Sequence, residues 1–402
     1  MKSRLFSITA VIVLTFIGFN AGYILGQSPL APYHIFDSTT AARSETFAPF
    51  WEVWDLVHAR YYEQPVDDVL LTQGAIEGML AALGDAHTRY LSPEDESVAR
   101  ERMSGEFQGI GAEVESSNGD ITIVSPIDGS PAQAAGLRPG DILRQANGVE
   151  LTGMDVSEAA ALVRGPAGTT VQLLIERNEE TFTVDIVRDV IKLSSVRSEM
   201  LDDNIAYVRL SQFGDQSAQE LEAQLTDLLA QNPVGLILDL RRNPGGGLDT
   251  AVAIADQFLP AGTILAERFG TGADKLFTST DKGIAEEIPL VALIDEGSAS
   301  ASEVLAGAIQ DRERGVLIGV TSFGKGTVQT WHALSNGGGV RITIARWLTP
   351  NENWVHETGV EPDFYVPLPD TANGEEFADT QLQAAVAYLL GKPVISTPPV
   401  EE

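Results

Sequence analysis

The stretch EGSASASEVLAGAIQD, residues 296–311, sets Ser298, Ser300 and Ser302 in alternation with alanine and then runs into a helical pattern. A hydroxyl at the turn from strand to helix lies beside backbone N–H groups that have no partner within the helix, and such groups can stabilise an oxyanion. A serine there can act as a nucleophile if a base takes its proton. The histidines, His34, His58, His87, His332 and His356, all lie away from it in sequence. The segment TSFGKGTVQ, residues 321–329, offers Lys325 instead, and a neutral lysine can be the base of Ser-Lys catalysis. Its ordinary pKa of about 10.4 must fall by roughly 3 units, about 4 kcal/mol, for that role. Glycines on both sides and the apolar neighbours Phe323 and Val328 suit a desolvated amine. Lys2, Lys192, Lys275, Lys282 and Lys392 have no such setting. In an extended segment Lys325, Thr327 and Gln329 share a face, which lets the Gln329 amide hold the lysine by a hydrogen bond. A structural account competes: Ser300-x-x-Glu303 is a helix capping box, which by itself justifies a serine at that position.

Glycine-rich turns add backbone donors. In LDLRRNPGGGLDTAVAIAD, residues 238–256, glycines between a strand and a helix allow close backbone approach. They suit one half of an oxyanion hole whose other half is the N–H of Ala301. A plain Asn-Pro-Gly turn explains the same residues. In GIGA, residues 109–112, the N–H groups of a glycine turn can capture a terminal carboxylate, and an exposed strand edge can take a peptide as an added strand. Another glycine pattern misleads. Gly319-x-x-x-x-Gly324-Lys325 begins like a phosphate-binding loop, but Gly326 stands where Ser or Thr would bind Mg²⁺. The following TVQTWHAL is extended in pattern rather than helical, so nucleotide hydrolysis is disfavoured.

These residues sit at the ends of strands. The runs IAYVRL, VGLILDL, PLVALI and VLIGV alternate with helical patterns over 217–229, 248–258 and 300–310, which predicts a mainly parallel sheet covered on both faces. Upstream, short strands from residue 106 onward surround one or two helices, one of them over 155–164, and predict a small β-rich module. Residues 47–84 show helical periodicity through Phe50, Val53, Trp54 and Val57, then Ile76, Met79 and Leu80. LGDAHTRYLSP, residues 83–93, reads as a turn-rich break before a helix over 93–103. A last helix is expected over 380–390.

The net charge of −31 is spread along the 402 residues, which argues against nucleic acid or anionic headgroups as partners. There is no cysteine, which excludes disulfides and thiolate chemistry. At the N-terminus Lys2 and Arg4 precede a mostly apolar run over 5–26, long enough at about 1.5 Å per residue to span a hydrocarbon core of about 30 Å. No clean small-x-small cleavage site follows. The run is read as an uncleaved signal anchor that leaves the rest of the chain outside the cytoplasm, periplasmic or extracellular. A cleaved, secreted form is the alternative. Gly18, Gly22 and Gly26 share a helix face, which suits a homodimer seam.

Taken in order, LGDAHTRYLSP, EFQGIG, SPAQAAGLRPGDIL, VRGPAGTTVQLLIER, IAYVRLSQF, LILDLRRNPGGGL, EGSASASE and TSFGKGTVQ resemble the carboxyl-terminal processing peptidases, the tail-specific serine proteases, from about residue 47 to residue 390. The resemblance implies an α/β multidomain chain. Its parts would be a signal anchor, 1–26, a linker, 27–45, an N-terminal helical subdomain, 46–104, an inserted β-rich PDZ domain, 105–190, and a Clp-protease/crotonase-like α/β serine-protease core, 191–392. Residues 393–402 would form a disordered tail. The same resemblance makes Ser300 the nucleophile, Lys325 the general base and Gln329 the residue that orients it. Gly246, or its neighbour Gly245, and Ala301 would form the oxyanion hole. Gly109, Ile110 and Gly111 would form the PDZ carboxylate loop, and Arg164, at the end of the PDZ helix, would couple that domain to the core. The substrates would be proteins with unstructured apolar C-terminal tails, and no metal, nucleotide or other cofactor is expected. Ala86 and Gly247 depart from the family pattern without touching Ser300 or Lys325. A second reading, a membrane-tethered PDZ scaffold with an inactive core, is disfavoured because Ser300, Lys325 and Gln329 are all present.

Overall fold

A computed structural model describes residues 40–117, 119–369 and 378–397. The expected anchor, 1–26, with its glycine face, lies outside the described residues, among which no helix is long and apolar enough to cross a membrane. The chain divides into residues 1–74 and 75–402.

In the first unit, helix α1 (Thr40–Arg60) begins inside the expected linker, because Ala41 and Ala42 favour helix. Phe50 packs edge-on against Trp51, with centroids 5.0 Å apart. His58 Nε2 lies 2.6 Å from Asp68, at the start of α2 (Asp68–Ala81).

In the second unit, LGDAHTRYLSP is not only a turn: it contains strand β1 (Arg89–Leu91), which pairs antiparallel with a strand some 250 residues further on, Arg89 opposite Arg341. Helix α3 (Pro93–Ser104) follows, capped by Ser92, whose hydroxyl accepts the Asp95 N–H, with Pro93 in the first turn.

The chain then builds a β-rich module from β2 (Glu106–Gly109), β3 (Ala112–Ser117), β4 (Asp120–Pro126), the short α4 (Pro131–Ala134), β5 (Ile142–Ala146), β6 (Val149–Glu150), α5 (Val156–Val163), β7 (Thr170–Arg177), β8 (Glu180–Val187) and β9 (Asp189–Lys192). The sheet runs β3-β4-β5-β7-β8, so β3 is an edge strand. Alternation sets the core: Val171, Leu173 and Ile175 of β7 are fully buried. A capping box fixes α5, with Asp155 accepting the Glu158 N–H at 2.8 Å and Glu158 accepting the Asp155 N–H at 3.2 Å. Strands β2 and β9 pair as a two-stranded ribbon, and Leu193 N–H reaches Gly105 O at 2.8 Å.

The remainder contains β10 (Val196–Leu201), β11 (Ile205–Leu210), α6 (Ser217–Leu229), β12 (Gly235–Asp239), α7 (Leu248–Ala255), β13 (Gly262–Phe269), β14 (Asp274–Ser279), β15 (Leu290–Ile294), α8 (Ala301–Asp311), β16 (Val316–Gly319), β17 (Thr327–Ala333), β18 (Gly339–Leu348), β19 (Phe364–Tyr365) and α9 (Thr380–Leu389). One sheet runs β10-β11-β12-β15-β16-β19, parallel apart from the β10–β11 pair. Its central strands β12 and β15 are buried throughout, and successive residues serve opposite faces. Leu236 and Leu238 pack with Leu221, Leu225, Ile254 and Leu305 of α6, α7 and α8. Ile237 and Val291 pack with Ala385 and Leu382 of α9.

A second sheet, β1-β18-β13-β14 with β17 beside β18, was not expected from the sequence. Its strands mix apolar residues with Glu267, Arg268, Arg341 and Arg346, and β1 and β18 find each other only across the whole chain. The tail expected to be disordered is ordered in part: Thr397 N–H donates to Tyr365 O at 2.8 Å, using the free edge of β19.

Candidate active site

The ends of β12, β15 and β16 carry the candidate residues. Ser300 lies between β15 and α8 with φ 55° and ψ −111°, a region that a residue with a Cβ rarely occupies. Such strain needs surroundings that enforce it, and the outer serines supply them. Ser298 donates from its hydroxyl to Leu240 O at 2.9 Å, and Ser302 donates to Asn243 O at 2.9 Å. Both are fully buried, whereas Ser300 is half-buried and lines an open cleft of about 690 Å³. Ser298 and Ser302 therefore stitch the serine turn to the loop after β12.

That loop approaches very closely. Gly245 has φ 95°, and a Cβ there would stand 2.6 Å from Ala299 O and 2.9 Å from Ala301 N. A Cβ on Gly246 would collide with the Phe213 carbonyl. The two glycines differ in what their N–H groups do. Gly245 N–H donates to Asn243 Oδ1 at 2.9 Å, and the flanking bonds of the bridge to Phe213 use Gly245 O and Gly247 N–H. Gly246 N–H and Ala301 N–H have no hydrogen-bond partner among the described residues, and both residues line the cleft with Ser300.

Lys325 enters the cleft from the loop between β16 and β17. Burial, helped by the nearby charges of Arg341 and Arg89 and opposed by Glu303, pushes its pKa down to about 8. A single fully buried carboxylate pins the two loops together. Glu303 of α8 accepts the Ser300 N–H at 2.7 Å and the Lys325 N–H at 2.9 Å on Oε2. On Oε1 it accepts the Ser322 hydroxyl at 2.7 Å and the Gly324 N–H at 2.6 Å. The capping box read from the sequence is thus one arm of a wider clamp. Glu303→Gln keeps the shape but turns an amide N–H₂ toward N–H donors. We expect a loss of about 3 kcal/mol in stability, read by denaturant titration, together with a large fall in activity. An unchanged unfolding midpoint would remove the clamp role.

Gln329 lines the cleft but is not bonded to Lys325. Its Nε2 donates to Thr327 at 2.9 Å and Thr343 at 3.3 Å, and its Oε1 accepts from Arg341 at 3.4 Å. Thr327 and Gln329 share a face of β17, as the alternation predicts, and the register shift between Val328 and Gln329 falls on the partner strand, where Ile344 is passed over.

In the β-rich module, Gly109, Ile110 and Gly111 lie between β2 and the edge strand β3. Ile110 O and Gly111 O accept from Ala132 and Ile127 N–H, and Ser130 also donates to Gly111 O at 2.8 Å. The N–H groups of Ile110 and Gly111 have no partner among the described residues. Gly111, at φ 74°, packs so tightly on Ser130 that a Cβ would stand 2.5 Å from that side chain. Arg164, the C-cap of α5, lies over Phe107 and donates to Glu101 of α3 at 3.1 Å. Other residues of α3, among them Val98, Arg102 and Met103, line the cleft.

The model of peptidase family S41 matches residues 204–366, a PDZ domain model matches 122–177, and that of the activating protease CtpB N-terminal domain matches 30–95. The carboxy-terminal processing protease CtpA of Bacillus subtilis is 38% identical over 322 residues, covering 80% of this chain and 69% of that one. The carboxy-terminal-processing protease of Bartonella bacilliformis is 39% identical over 336 residues, covering 81% and 77%. A solved chain from Bacteroides fragilis, assigned to the S41 proteases, shares the fold, with a TM-score of 0.53 at 18% identity over 85% of this chain and 97% of that one. The chain is thus a serine-type peptidase that carries a PDZ domain. It belongs to peptidase family S41, among the carboxy-terminal processing proteases.

Proposed function

We propose that the chain is an endopeptidase of Ser-Lys type, with Ser300 as nucleophile and Lys325 as general base. The observation that carries this is the pairing, in one cleft, of a strained serine at a helix N-terminus with a lysine of depressed pKa, their loops pinned by the same carboxylate. Ser300 Oγ attacks the scissile carbonyl carbon and Lys325 Nζ takes its proton. The oxyanion rests on the N–H groups of Gly246 and Ala301. The C–N bond breaks as Lys325 returns the proton to the leaving amine, and an acyl ester remains. Neutral Lys325 then takes a proton from water as it attacks the ester, and returns it to Ser300 Oγ as the C–O bond breaks, releasing the acid product. Gln329 supports the lysine once it exchanges its contacts with Arg341 and Thr343. The strand order and two-faced packing favour a Clp-protease/crotonase-like core over about 191–392, with the PDZ domain over about 105–190.

The same reading has an apolar C-terminal tail add to the β3 edge, its carboxylate on the Ile110 and Gly111 N–H groups. Residues 1–26 would hold the catalytic part on the outer side of a membrane, and Gly18, Gly22 and Gly26 would favour a homodimer there. The test is cleavage of an unfolded protein by the full chain, with an apolar C-terminal tail free or amidated. Faster cleavage of the free tail supports the reading. Binding of the tail with no cleavage favours the scaffold.

Arg164 links the module to a wall of the cleft. Its pair with Glu101 is partly exposed and worth about 1 kcal/mol at most. Arg164→Ala should therefore reduce the ratio of tailed to untailed cleavage two- to fivefold, with Glu101→Ala giving the same loss and the double variant no more. An unchanged ratio removes the coupling role.

A further inference from the structure

Two arginines in the cleft have no acid to pair with. Arg89 on β1 and Arg341 on β18 are directly opposite in register, so their side chains leave the sheet on the same face. Both line the cleft that holds Ser300 and Lys325. Like charges placed opposite each other disfavour the sheet, and no carboxylate compensates. Neither arginine forms an ion pair among the described residues, and for half-buried Arg341 burial and Arg89 both lower the pKa. Its contacts are a long bond to Gln329 at 3.4 Å and the ring of Trp331 at 5.3 Å.

The surrounding acids are committed elsewhere. Glu96 accepts from Trp331 Nε1 at 2.6 Å and from Arg100 at 2.8 Å. Asp95, which also lines the cleft, accepts from Ser92 at 3.0 Å. Asp85 accepts from Thr88 at 2.6 Å and from the His87 N–H at 3.0 Å. Elsewhere buried or half-buried arginines have close acceptors: Arg144 has Asp120 and Glu176, Arg177 has Asp141, Arg241 has Asp239 and Asp379, and Arg188, Arg312 and Arg314 donate to backbone carbonyls at 2.7–2.8 Å. With 57 acidic residues against 26 basic ones, an unpaired arginine pair is not for want of acids.

We propose that Arg89 and Arg341 form a carboxylate subsite of the cleft, which selects substrates that carry a carboxylate close to the bond to be cut. Two guanidinium groups side by side offer planar, bidentate recognition of one carboxylate. Trp331 supports one of them from the β17 side. The carboxylate is either an Asp or Glu side chain or the substrate's own C-terminus. The inference rests on this cleft being the place of cleavage, a reading tested separately by Ser300→Ala.

The experiment uses the full chain and a set of peptides in which each position flanking the cleaved bond is Glu or Gln in turn, each peptide with a free or an amidated C-terminus. The quantity read is the Glu/Gln ratio of kcat/KM within one variant, so that a change in Lys325 basicity cancels. The same ratio of Kd is read on the Ser300→Ala chain, which keeps the test independent of turnover. The native chain should favour Glu about tenfold at one or two adjacent positions, and the ratio should fall below about twofold in Arg89→Gln and in Arg341→Gln. Arg89→Glu should prefer a Lys peptide at that position. If the carboxylate is the C-terminus, amidation weakens the native chain about tenfold and the arginine variants much less, which equally supports the subsite. Ratios near one throughout, with no arginine-dependent effect of amidation, would overturn it. So would a preference that persists unchanged in both Gln variants.

Discussion

Ser300→Ala should reduce cleavage by about four orders of magnitude or more, while leaving the fold intact. The other two serines should behave in the opposite way. Ser298→Ala and Ser302→Ala each remove a buried hydroxyl that donates to a loop carbonyl, Leu240 O or Asn243 O. Each should cost about 1–3 kcal/mol of stability and reduce activity only as far as the turn loosens. Thermal melts and initial rates on one unfolded substrate separate the two classes. Activity retained in Ser300→Ala, or lost outright in Ser302→Ala with an unchanged melt, would reassign the nucleophile. The strained backbone adds a further expectation. Ser300→Gly relieves φ 55°, so it should lose activity like the alanine variant yet melt no lower than the native chain.

Replacing Lys325 should have the second-largest effect. Lys325→Met removes the base and should lower kcat/KM by about 10³-fold or more. In the native chain the reactive form is the neutral amine. With the pKa lowered to about 8, roughly one molecule in ten is neutral at pH 7, so kcat/KM should climb about fivefold between pH 7 and pH 8, reach about tenfold by pH 9 and level off above it. Arg341→Gln takes away a positive neighbour, which raises the lysine pKa and moves this limb to higher pH.

Stability has its own sign. The folded pKa lies below the unfolded value of 10.5, so between about pH 8 and 10.5 the unfolded chain binds more protons. The lysine's contribution to stability thus rises with pH across that window and is least favourable below it. Lys325→Met should raise the melting temperature at pH 7 and show a smaller gain at pH 10. A rate limb that does not move in Arg341→Gln, or a methionine variant that melts lower at pH 7, would contradict the desolvated-base reading.

What the sequence disclosed follows from how local each signal is. The parallel strands are continuous apolar runs, and α6 and α8 carry clear helical periodicity, so both were legible. The glycines around Lys325 announced close packing, and the structure buries the amine. The second lowering influence, Arg341 and Arg89, was hidden because β1 meets β18 only in three dimensions. Three serines in alternation look equivalent on paper, and only the carbonyls of Leu240 and Asn243 single out the middle one. Glu303 was visible as a capping residue, but not as the acceptor for Ser322, Gly324 and Lys325. Alternation placed Gln329 on the face of Thr327, where it lies, but it gave no sign of Arg341 and Thr343, which β18 brings to the same amide.

The paired strands β2 and β9 carry a wider consequence. They return the chain to the point from which it left, with Gly105 and Leu193 joined by one hydrogen bond. A segment spliced in at such a stem leaves the host backbone continuous, and the module then meets its host through side chains such as Arg164, on Glu101. Exchanging the module is thus a matter of two strand ends and a few side-chain contacts, rather than of the sheet that carries Ser300 and Lys325.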